Sequence, residues 1–170
     1  MSDFLKEFKF DKSPLKITYF DKEPLKLNSD FTFFHNKSKF RKELNRLQIL
    51  FKSYTNVPLH AAGIRDSYLK EELSENYLII LFTISDTVKK ASEIIEANLS
   101  IEIKPSCFYL ESNTDYILLL SHDMEGLIFG IDILESILGQ VLEDYTIQKR
   151  FGDYIKVCTF KLSNCKNILT

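Results

Sequence analysis

The residues best suited to acid–base or metal chemistry are three histidines that stand far apart in the sequence. His35, His60 and His122 each lie at or near the end of a predicted strand. Neither an HExxH nor a His-x-His spacing occurs, so we expect surface histidines at strand ends rather than a metal site. A three-histidine site assembled by the fold stays open as the alternative.

Paired carboxylates occur at Glu71-Glu72 and at Glu143-Asp144. A glycosidase needs two carboxylates about 5–10 Å apart, one of them kept protonated by an apolar setting. Neighbouring residues point apart and both pairs lie in polar contexts, which favours a solvated surface. The chain also lacks the GxSxG, GxxxxGK[ST] and GxGxxG motifs, so we assign no catalytic residue, no cofactor and no metal.

The three cysteines, Cys107, Cys158 and Cys165, form no Cys-x-x-Cys pair, which indicates neither a disulfide framework nor a zinc site. We expect reduced thiols in a cytoplasmic protein, with Cys107 and Cys158 buried in strands and Cys165 exposed in a tail. No apolar run is long enough for a signal peptide or for a membrane span of about 20 residues. An exported parent protein whose signal has been removed stays open.

Aromatic residues are abundant, with 14 Phe and 8 Tyr. Phe31, Phe33 and Phe34 could form a sugar-stacking platform, as could Tyr68 and Tyr77. Phenylalanine in a strand is more often part of the core, because burying each ring contributes several kcal/mol, about 3–5 by truncation. We therefore favour core positions over a binding platform.

The length and the net charge of the chain are those of one small domain. The 170 residues suit a single domain, and the net charge of −2 is too balanced for a general nucleic-acid binder. The charges are segregated, because residues 1–60 have 12 basic and 7 acidic side chains, residues 61–145 have 5 and 16, and residues 146–170 have 5 and 1. We expect the basic ends to pair with the acidic middle on the folded surface, with a partner-binding field as the alternative.

Apolar periodicity predicts an α+β order of elements. Strands are expected at Lys16–Asp21, Asp30–His35, Val57–His60, Tyr77–Ile84, Cys107–Glu111, Tyr116–Ser121 and Tyr154–Leu162. Tyr77–Ile84 is apolar throughout, which is typical of a central strand covered on both faces. Helices are expected at Lys39–Tyr54, with Ser38 as cap, at Asp86–Asn98, and from Ser121 or Asp123 onward, whereas residues 63–76 read as a loop.

The last helix contains Gly126 and Gly130 on one face, beside a core stripe of Leu127, Ile131, Leu134, Leu138 and Val141. Each glycine inside a helix costs about 1 kcal/mol relative to alanine. That cost favours a helix whose backbone packs closely against a sheet or a neighbouring helix. We divide the chain into an N-terminal extension (1–14), one domain (15–162) and a C-terminal tail (163–170).

Residues 15–140 resemble the non-catalytic N-terminal domain of family 20 β-N-acetylhexosaminidases and related glycoside hydrolases. The match is strongest over Cys107–Leu138, where a "Y-x-L" strand, a turn and an "I-x-I" strand lead into a helix of the type "G-L-x-x-G-x-x-T-L-x-x-L-L". Here these are Phe108-Tyr109-Leu110, Tyr116-Ile117-Leu118-Leu119 and Gly126–Leu138, with Ile133 at the threonine position. The motif residues are Gly126, Leu127, Gly130, Leu134 and Leu138. Phe31–Phe34, Lys39–Tyr54, Thr55–Leu59 and Tyr77–Leu81 resemble further family elements.

The resemblance implies a twisted, largely antiparallel sheet with two long helices on one face. It also implies a non-catalytic accessory domain that docks on a catalytic barrel, either in a larger parent or as a separate subunit. The helix at Asp86–Asn98 departs from the family as an insertion. No Asp-Glu dipeptide is present to match the family's catalytic pair, so no catalytic residue is transferred.

Two alternatives belong to other functional classes. One is a freestanding interaction or oligomerisation protein, such as a homodimer, which an exposed apolar patch of a few hundred Å² would favour. The other is a small-ligand-binding domain with a deep pocket between helices and sheet. We expect neither nucleic acid nor a membrane as a partner.

Overall fold

The structure is a computed structural model that describes residues 5–10, 16–27, 31–35, 41–55, 60–63, 78–84, 93–95, 97–98, 101, 103–147 and 155–165. Its strands are β1 (Lys16–Tyr19), β2 (Leu25–Leu27), β3 (Phe31–His35), β4 (His60–Gly63), β5 (Leu78–Ile84), β6 (Cys107–Ser112), β7 (Tyr116–Ser121), β8 (Ile155–Val157) and β9 (Phe160–Cys165). Its two longest helices are α1 (Arg41–Thr55) and α2 (Met124–Ile147). Residues 93–95 and 97, inside the predicted helix at Asp86–Asn98, are helical too.

Seven strands form one sheet in the order β1-β9-β6-β7-β5-β3-β4, and β2 pairs separately with β8. Among the described pairs only β3 and β4 run parallel. Both α1 and α2 pack on the same face of the large sheet, where they enclose the main core. The predicted α+β class with a largely antiparallel sheet is confirmed.

Helix α1 confirms the helix predicted from the spacing of apolar residues. Leu44, Leu47 and Phe51 are buried on its inner stripe, and Tyr54 packs against the same core. The ring of Phe51 meets that of Phe33 on β3 edge-on, with 6.3 Å between centroids. The predicted cap Ser38 and the stripe residue Phe40 lie outside the described residues.

The strands predicted at Cys107–Glu111 and Tyr116–Ser121 form a hairpin of β6 and β7, which pair with Phe108 opposite Ser121 and Ser112 opposite Ile117. Its turn is closed by Asn113, whose side-chain Oδ1 accepts hydrogen bonds from the backbone N–H of Asp115 and Tyr116 at 2.8 and 2.9 Å. This local hydrogen bonding is the reason that asparagine favours such turns.

Helix α2 begins at an aspartate cap. The side-chain Oδ1 of Asp123 accepts the backbone N–H of Gly126 at 2.8 Å, which satisfies one of the free donors of the first turn. Asp123, one of the two predicted caps, is therefore the N-cap. All five predicted core residues of the helix (Leu127, Ile131, Leu134, Leu138 and Val141) are buried.

The two helix glycines allow the backbone of α2 to approach the hairpin. A Cβ on Gly126 would overlap the carbonyl oxygen of Cys107 on β6. A Cβ on Gly130 would lie 2.6 Å from Cδ1 of Leu119 on β7 and 3.1 Å from the Phe108 ring. The close approach expected from the glycine spacing is therefore present, and its partner is the hairpin that precedes the helix.

Arg46 on α1 ties the two helices together at the surface. Its guanidinium lies 2.7 Å from Asp132 and 3.0 Å from Glu135 on α2, and the hydrogen bonds with Glu135 and then Asp132 raise its pKa. The groups are partly exposed, and such surface pairs contribute about 0.2–1 kcal/mol. A cation of the basic first region here pairs with anions of the acidic middle, as the charge distribution predicts.

The C-terminal strand differs from the prediction. Instead of one strand over Tyr154–Leu162, the chain forms β8, which pairs with β2, and then β9, which lies between β1 and β6 in the large sheet. The change of sheet occurs at Cys158 and Thr159, where Thr159 exchanges hydrogen bonds with the backbone of Phe20. Because the apolar alternation continues through this point, only the pairing partners reveal the break.

Described residues on the outer side of each predicted domain boundary take part in the fold. Phe8, placed by prediction in an N-terminal extension, is buried in the main core. Ser163, placed at the start of the tail, belongs to β9, which runs to Cys165. A single buried ring among charged residues gives no periodic apolar pattern. The local sequence likewise does not show that β9 continues to Cys165.

We predict opposite effects for alanine at the glycines of α2. Gly130→Ala should lower the free energy of unfolding by about 1–3 kcal/mol, because its Cβ would meet packed side chains. Gly126→Ala should cost more, since the obstacle is a backbone carbonyl. Gly139→Ala, where no atom lies within 4 Å of the added carbon, should gain about 0.5–1 kcal/mol from helix propensity.

Urea denaturation of the three variants and the wild type measures these differences. Equal losses for Gly130→Ala and Gly139→Ala would contradict the close packing of α2 on the hairpin.

Candidate functional site

The sheet face opposite the helices changes from apolar to polar along the strand order. The register places one residue from each of six strands in a row: Phe34, Leu81, Leu118, Glu111, Lys161 and Thr18. The first three are buried, Glu111 is half-buried, and Lys161 and Thr18 are exposed. We call the exposed end of this face, formed by Thr18, Lys161 and Ser163, the open face.

The apolar half of the same face is covered by chain that precedes the hairpin. Ile95 and Ile103 are buried against Phe34, Ile79 and Leu120. Strand β5 is therefore buried on both faces, as its unbroken apolar run predicts. This cover gives the open face a defined apolar border.

Two tyrosines, each hydrogen-bonded to another side chain, line that border. The hydroxyl of Tyr109 donates to Oε1 of Glu111 at 3.2 Å, and Nζ of Lys161 lies 5.9 Å from the centre of the Tyr109 ring. The hydroxyl of Tyr116 accepts a hydrogen bond from the side-chain amide of Asn98 at 3.1 Å.

Burial, reinforced by the charge of Glu111, raises the pKa of Tyr109. The phenol therefore stays neutral at physiological pH and acts as a hydrogen-bond donor rather than as a nucleophile. The cluster offers ring surface, a carboxylate and an ammonium group, which suits recognition of a partner surface. Sequence reasoning missed Tyr109, Glu111 and Lys161, because they meet only through the strand register.

A strained turn just before β6 is hydrogen-bonded to the start of α2. Ser106 has a φ of 65° and follows Pro105, and the N–H of Cys107 donates to the carbonyl of Lys104 at 3.1 Å, as in a type II turn. The N–H of Ser106 donates to Oδ2 of Asp123 at 2.9 Å. One carboxylate thus holds both the turn and the helix start, so this strain serves the fold.

A cleft of about 260 Å³ lies beside the end of β1 and is lined by Lys6, Glu7, Tyr19, Phe20, Asp21, Lys22 and Cys158. The alternative of a ligand-binding domain called for a deep pocket between helices and sheet. This cleft lies instead between the N-terminal segment and the end of β1, and it is smaller than the roughly 300–1,000 Å³ of typical ligand pockets. Its lining combines two basic and two acidic side chains, Lys6, Lys22, Glu7 and Asp21.

The cysteines correct the expectation of three reduced thiols. Cys107 is disulfide-bonded and Cys158 is free and buried. Cys158 lies between β8 and β9 rather than in a strand, and the register of β6 and β9 places Cys165 directly opposite Cys107. A separation of 58 positions hides this pairing from the sequence. The expectation of a reduced thiol at Cys107 is therefore wrong.

The histidine prediction is wrong for His35, which is only 3% exposed on β3. Its neighbours in the register are Ile80 on β5 and Gly63 on β4, and its row faces the helices. His122 is exposed as predicted, and the side chain of His60 lies outside the described residues.

The remaining candidates have structural positions. Phe31, Phe33 and Phe34 are buried, which confirms the core interpretation over a sugar platform. Glu143 is exposed on α2, as expected of a solvated pair, and Asp144 beside it is half-buried. The motif residues Gly126, Leu127, Gly130, Leu134 and Leu138 are all buried against the sheet, so they hold the fold together. Glu71, Glu72, Tyr68 and Tyr77 lie outside the described residues.

Two further observations bear on the kind of site. Within the described ranges, no three His, Cys, Asp or Glu side chains come together as metal ligands could. None of the described helices combines the length and the apolarity that crossing a bilayer requires.

Comparisons with protein-family models, with curated proteins and with solved structures found no match to this chain.

We predict one reactive thiol in the unfolded protein and almost none in the folded protein. Without reductant, a thiol assay of the unfolded chain should detect Cys158 alone. After reduction it should detect all three cysteines. In the folded state, burial raises the Cys158 pKa from 9.0 to about 11. Alkylation should therefore be slow at pH 8 and accelerate as the pH rises through about 11, because only the thiolate reacts.

Mass spectrometry after alkylation counts the modified residues. Cys158→Ser should leave no thiol without reductant, whereas Cys165→Ser should leave two. Three thiols in unreduced wild-type protein would contradict the disulfide.

Proposed function

We propose that this chain is a non-catalytic accessory domain of a carbohydrate-active enzyme that docks on a catalytic barrel through the open face. The observation that carries the proposal is the polar end of the sheet, where Thr18, Lys161 and Ser163 are exposed beside the Tyr109–Glu111 pair. The resemblance to the N-terminal domain of family 20 β-N-acetylhexosaminidases supplies the kind of partner.

The layer arrangement supports this proposal. Both long helices lie on one face of the sheet, and on the opposite face the cover over Phe34, Ile79 and Leu120 leaves the β1–β9 end for a partner. The close contact of α2 with the hairpin agrees with the motif on which the resemblance is strongest. The composition of the border, with tyrosine, carboxylate and ammonium groups, is typical of a protein interface with a polar rim.

The alternative of an oligomerisation module receives less support. Among the described residues, the exposed large apolar side chains are Ile49 on α1 and Ile128 and Ile147 on α2. Single exposed apolar side chains are ordinary on soluble proteins and do not form a patch. The open face is polar, which is expected of a surface that binds a partner through a hydrated interface.

We predict that the purified chain releases no nitrophenol from nitrophenyl N-acetylglucosaminide. The reason is that the chemistry would be supplied by the barrel, and Tyr109 is held as a neutral donor. A colorimetric assay at high protein concentration measures the rate. Turnover that is abolished by a single carboxylate substitution would contradict the accessory role.

We also predict binding to a family 20 barrel that is expressed without its own N-terminal domain. Lys161→Glu should weaken this binding by about tenfold or more, equivalent to about 1.4 kcal/mol, because it reverses a charge at the centre of the open face. Lys52→Glu, the same charge reversal at an exposed position on α1, is the matched control and should leave the affinity unchanged.

Isothermal titration calorimetry gives both affinities. The proposal fails if the barrel binds neither protein, or if the two variants bind it equally well.

A further inference from the structure

The disulfide of Cys107 lies on the strand pair that carries part of the open face. The register of β6 and β9 places three pairs on the side of the sheet away from the helices: Glu111 with Lys161, Tyr109 with Ser163, and Cys107 with Cys165. Two positions along a strand span about 7 Å, so the cysteine pair is one step from the exposed Ser163.

The partner of Cys107 in this bond follows from the other two cysteines. The chain has three cysteines, Cys107 is disulfide-bonded, and Cys158 is free and buried. Cys165 is therefore the partner, as its position in the register also requires. Cys107 is buried with the apolar residues that border the open face, so the bond joins this border to β9.

The end of β9 has fewer strand neighbours than its middle. Strand β1 pairs with β9 only as far as Ser163, whereas β6 pairs with it as far as Cys165. Among the described strands, Cys165 therefore has a neighbour on one side alone. Strand ends of this kind open locally at low cost, and a cross-link between positions 107 and 165 removes many of the open conformations.

The surroundings of Cys107 also suit the reduced form. The carbonyl oxygen of Pro105 lies 3.4 Å from Sγ of Cys107. A thiol can donate its hydrogen to this oxygen, whereas a disulfide sulfur has no hydrogen to donate. Reduction therefore leaves the new donor at Cys107 with an acceptor already in place.

We propose that the bond between Cys107 and Cys165 is a redox switch of the open face. When oxidised, it holds the end of β9 on β6 and keeps Ser163 and Lys161 in position. When a dithiol reduces it, the end of β9 separates from β6 and the open face loses its order. The effect on docking rests on the proposed function, whereas the release of β9 does not.

The chemical step is thiol–disulfide exchange. A thiolate of the reductant attacks one sulfur of the bond, and the other cysteine leaves and takes up a proton. The second thiol of the reductant then attacks the mixed disulfide, which releases the second cysteine as a thiol and converts the reductant into a disulfide. Two electrons and two protons pass from the dithiol to the protein.

Dithiothreitol, a small dithiol, tests the reduction on the full-length folded chain. Without denaturant it should raise the number of thiols from one to three, as counted by mass spectrometry after the chain is unfolded and alkylated. Reduction that requires denaturant overturns the proposal, because the bond would then be closed to reductants in the folded state.

Hydrogen exchange then compares the oxidised and the reduced chain. After reduction, the amides of residues 163–165 should exchange at least about tenfold faster, because the strand end opens more often. The amides of β5, which lies inside the sheet, should exchange at an unchanged rate. Unchanged exchange at residues 163–165 overturns the proposal. So does faster exchange in β5, which would show that reduction unfolds the sheet as a whole.

Two variants assign the effect to this bond. Cys165→Ser removes the bond and should exchange like the reduced chain, with or without dithiothreitol. Cys158→Ser keeps the bond, and as the matched control it should respond to dithiothreitol as wild type does. A response of Cys165→Ser to dithiothreitol overturns the proposal, because the effect would then come from another thiol.

Calorimetry with the family 20 barrel separates the switch from the proposed function. The oxidised chain should bind the barrel at least about tenfold more tightly than the reduced chain. Equal affinities of the two forms overturn the switch. If the barrel binds neither form, the proposed function fails, and the exchange rates of residues 163–165 decide whether reduction releases β9.

Discussion

Helix α2 touches the β6–β7 hairpin with its backbone, because Gly126 and Gly130 leave no side chain between them. The carbonyl of Cys107 occupies the space of one missing Cβ, and Leu119 and Phe108 occupy that of the other. At this distance the helix has little freedom to shift or rotate. Its position in turn fixes Asp123 at the turn of Ser106, Glu135 beside Arg46 of α1, and Gln140 beside the backbone of Lys9.

The two faces of the large sheet differ in what covers them. The face under the helices is filled by aromatic and aliphatic side chains, with the rings of Phe33 and Phe82 stacked 4.2 Å apart. The other face is apolar from β3 to β7 and polar at β9 and β1. Tyr109 and Glu111 therefore lie at the boundary between the covered part of this face and the part exposed to solvent. That position makes the open face suitable for recognition.

The C-terminal residues link elements that are remote in sequence. After Cys158 and Thr159 the chain leaves the small sheet and inserts β9 between β1 and β6. That insertion brings Lys161 opposite Glu111 and Cys165 opposite Cys107. It also places Phe160 against Phe8, so β9 contributes to the open face, to the contact with Cys107 and to the packing of Phe8.

The sequence by itself determined the elements whose signals are local. The helix α1 and the burial of β5 follow from spacing and hydrophobicity over a few neighbouring residues, and the local pattern limits the cap of α2 to Ser121 or Asp123. The glycine pair even predicted a close backbone contact. Tertiary structure alone decided which strand meets which, because pairing partners depend on the whole chain. For that reason the disulfide at Cys107, the burial of His35, the sheet change at Cys158, the seat of Phe8 and the Tyr109–Glu111–Lys161 cluster could not be predicted from local pattern.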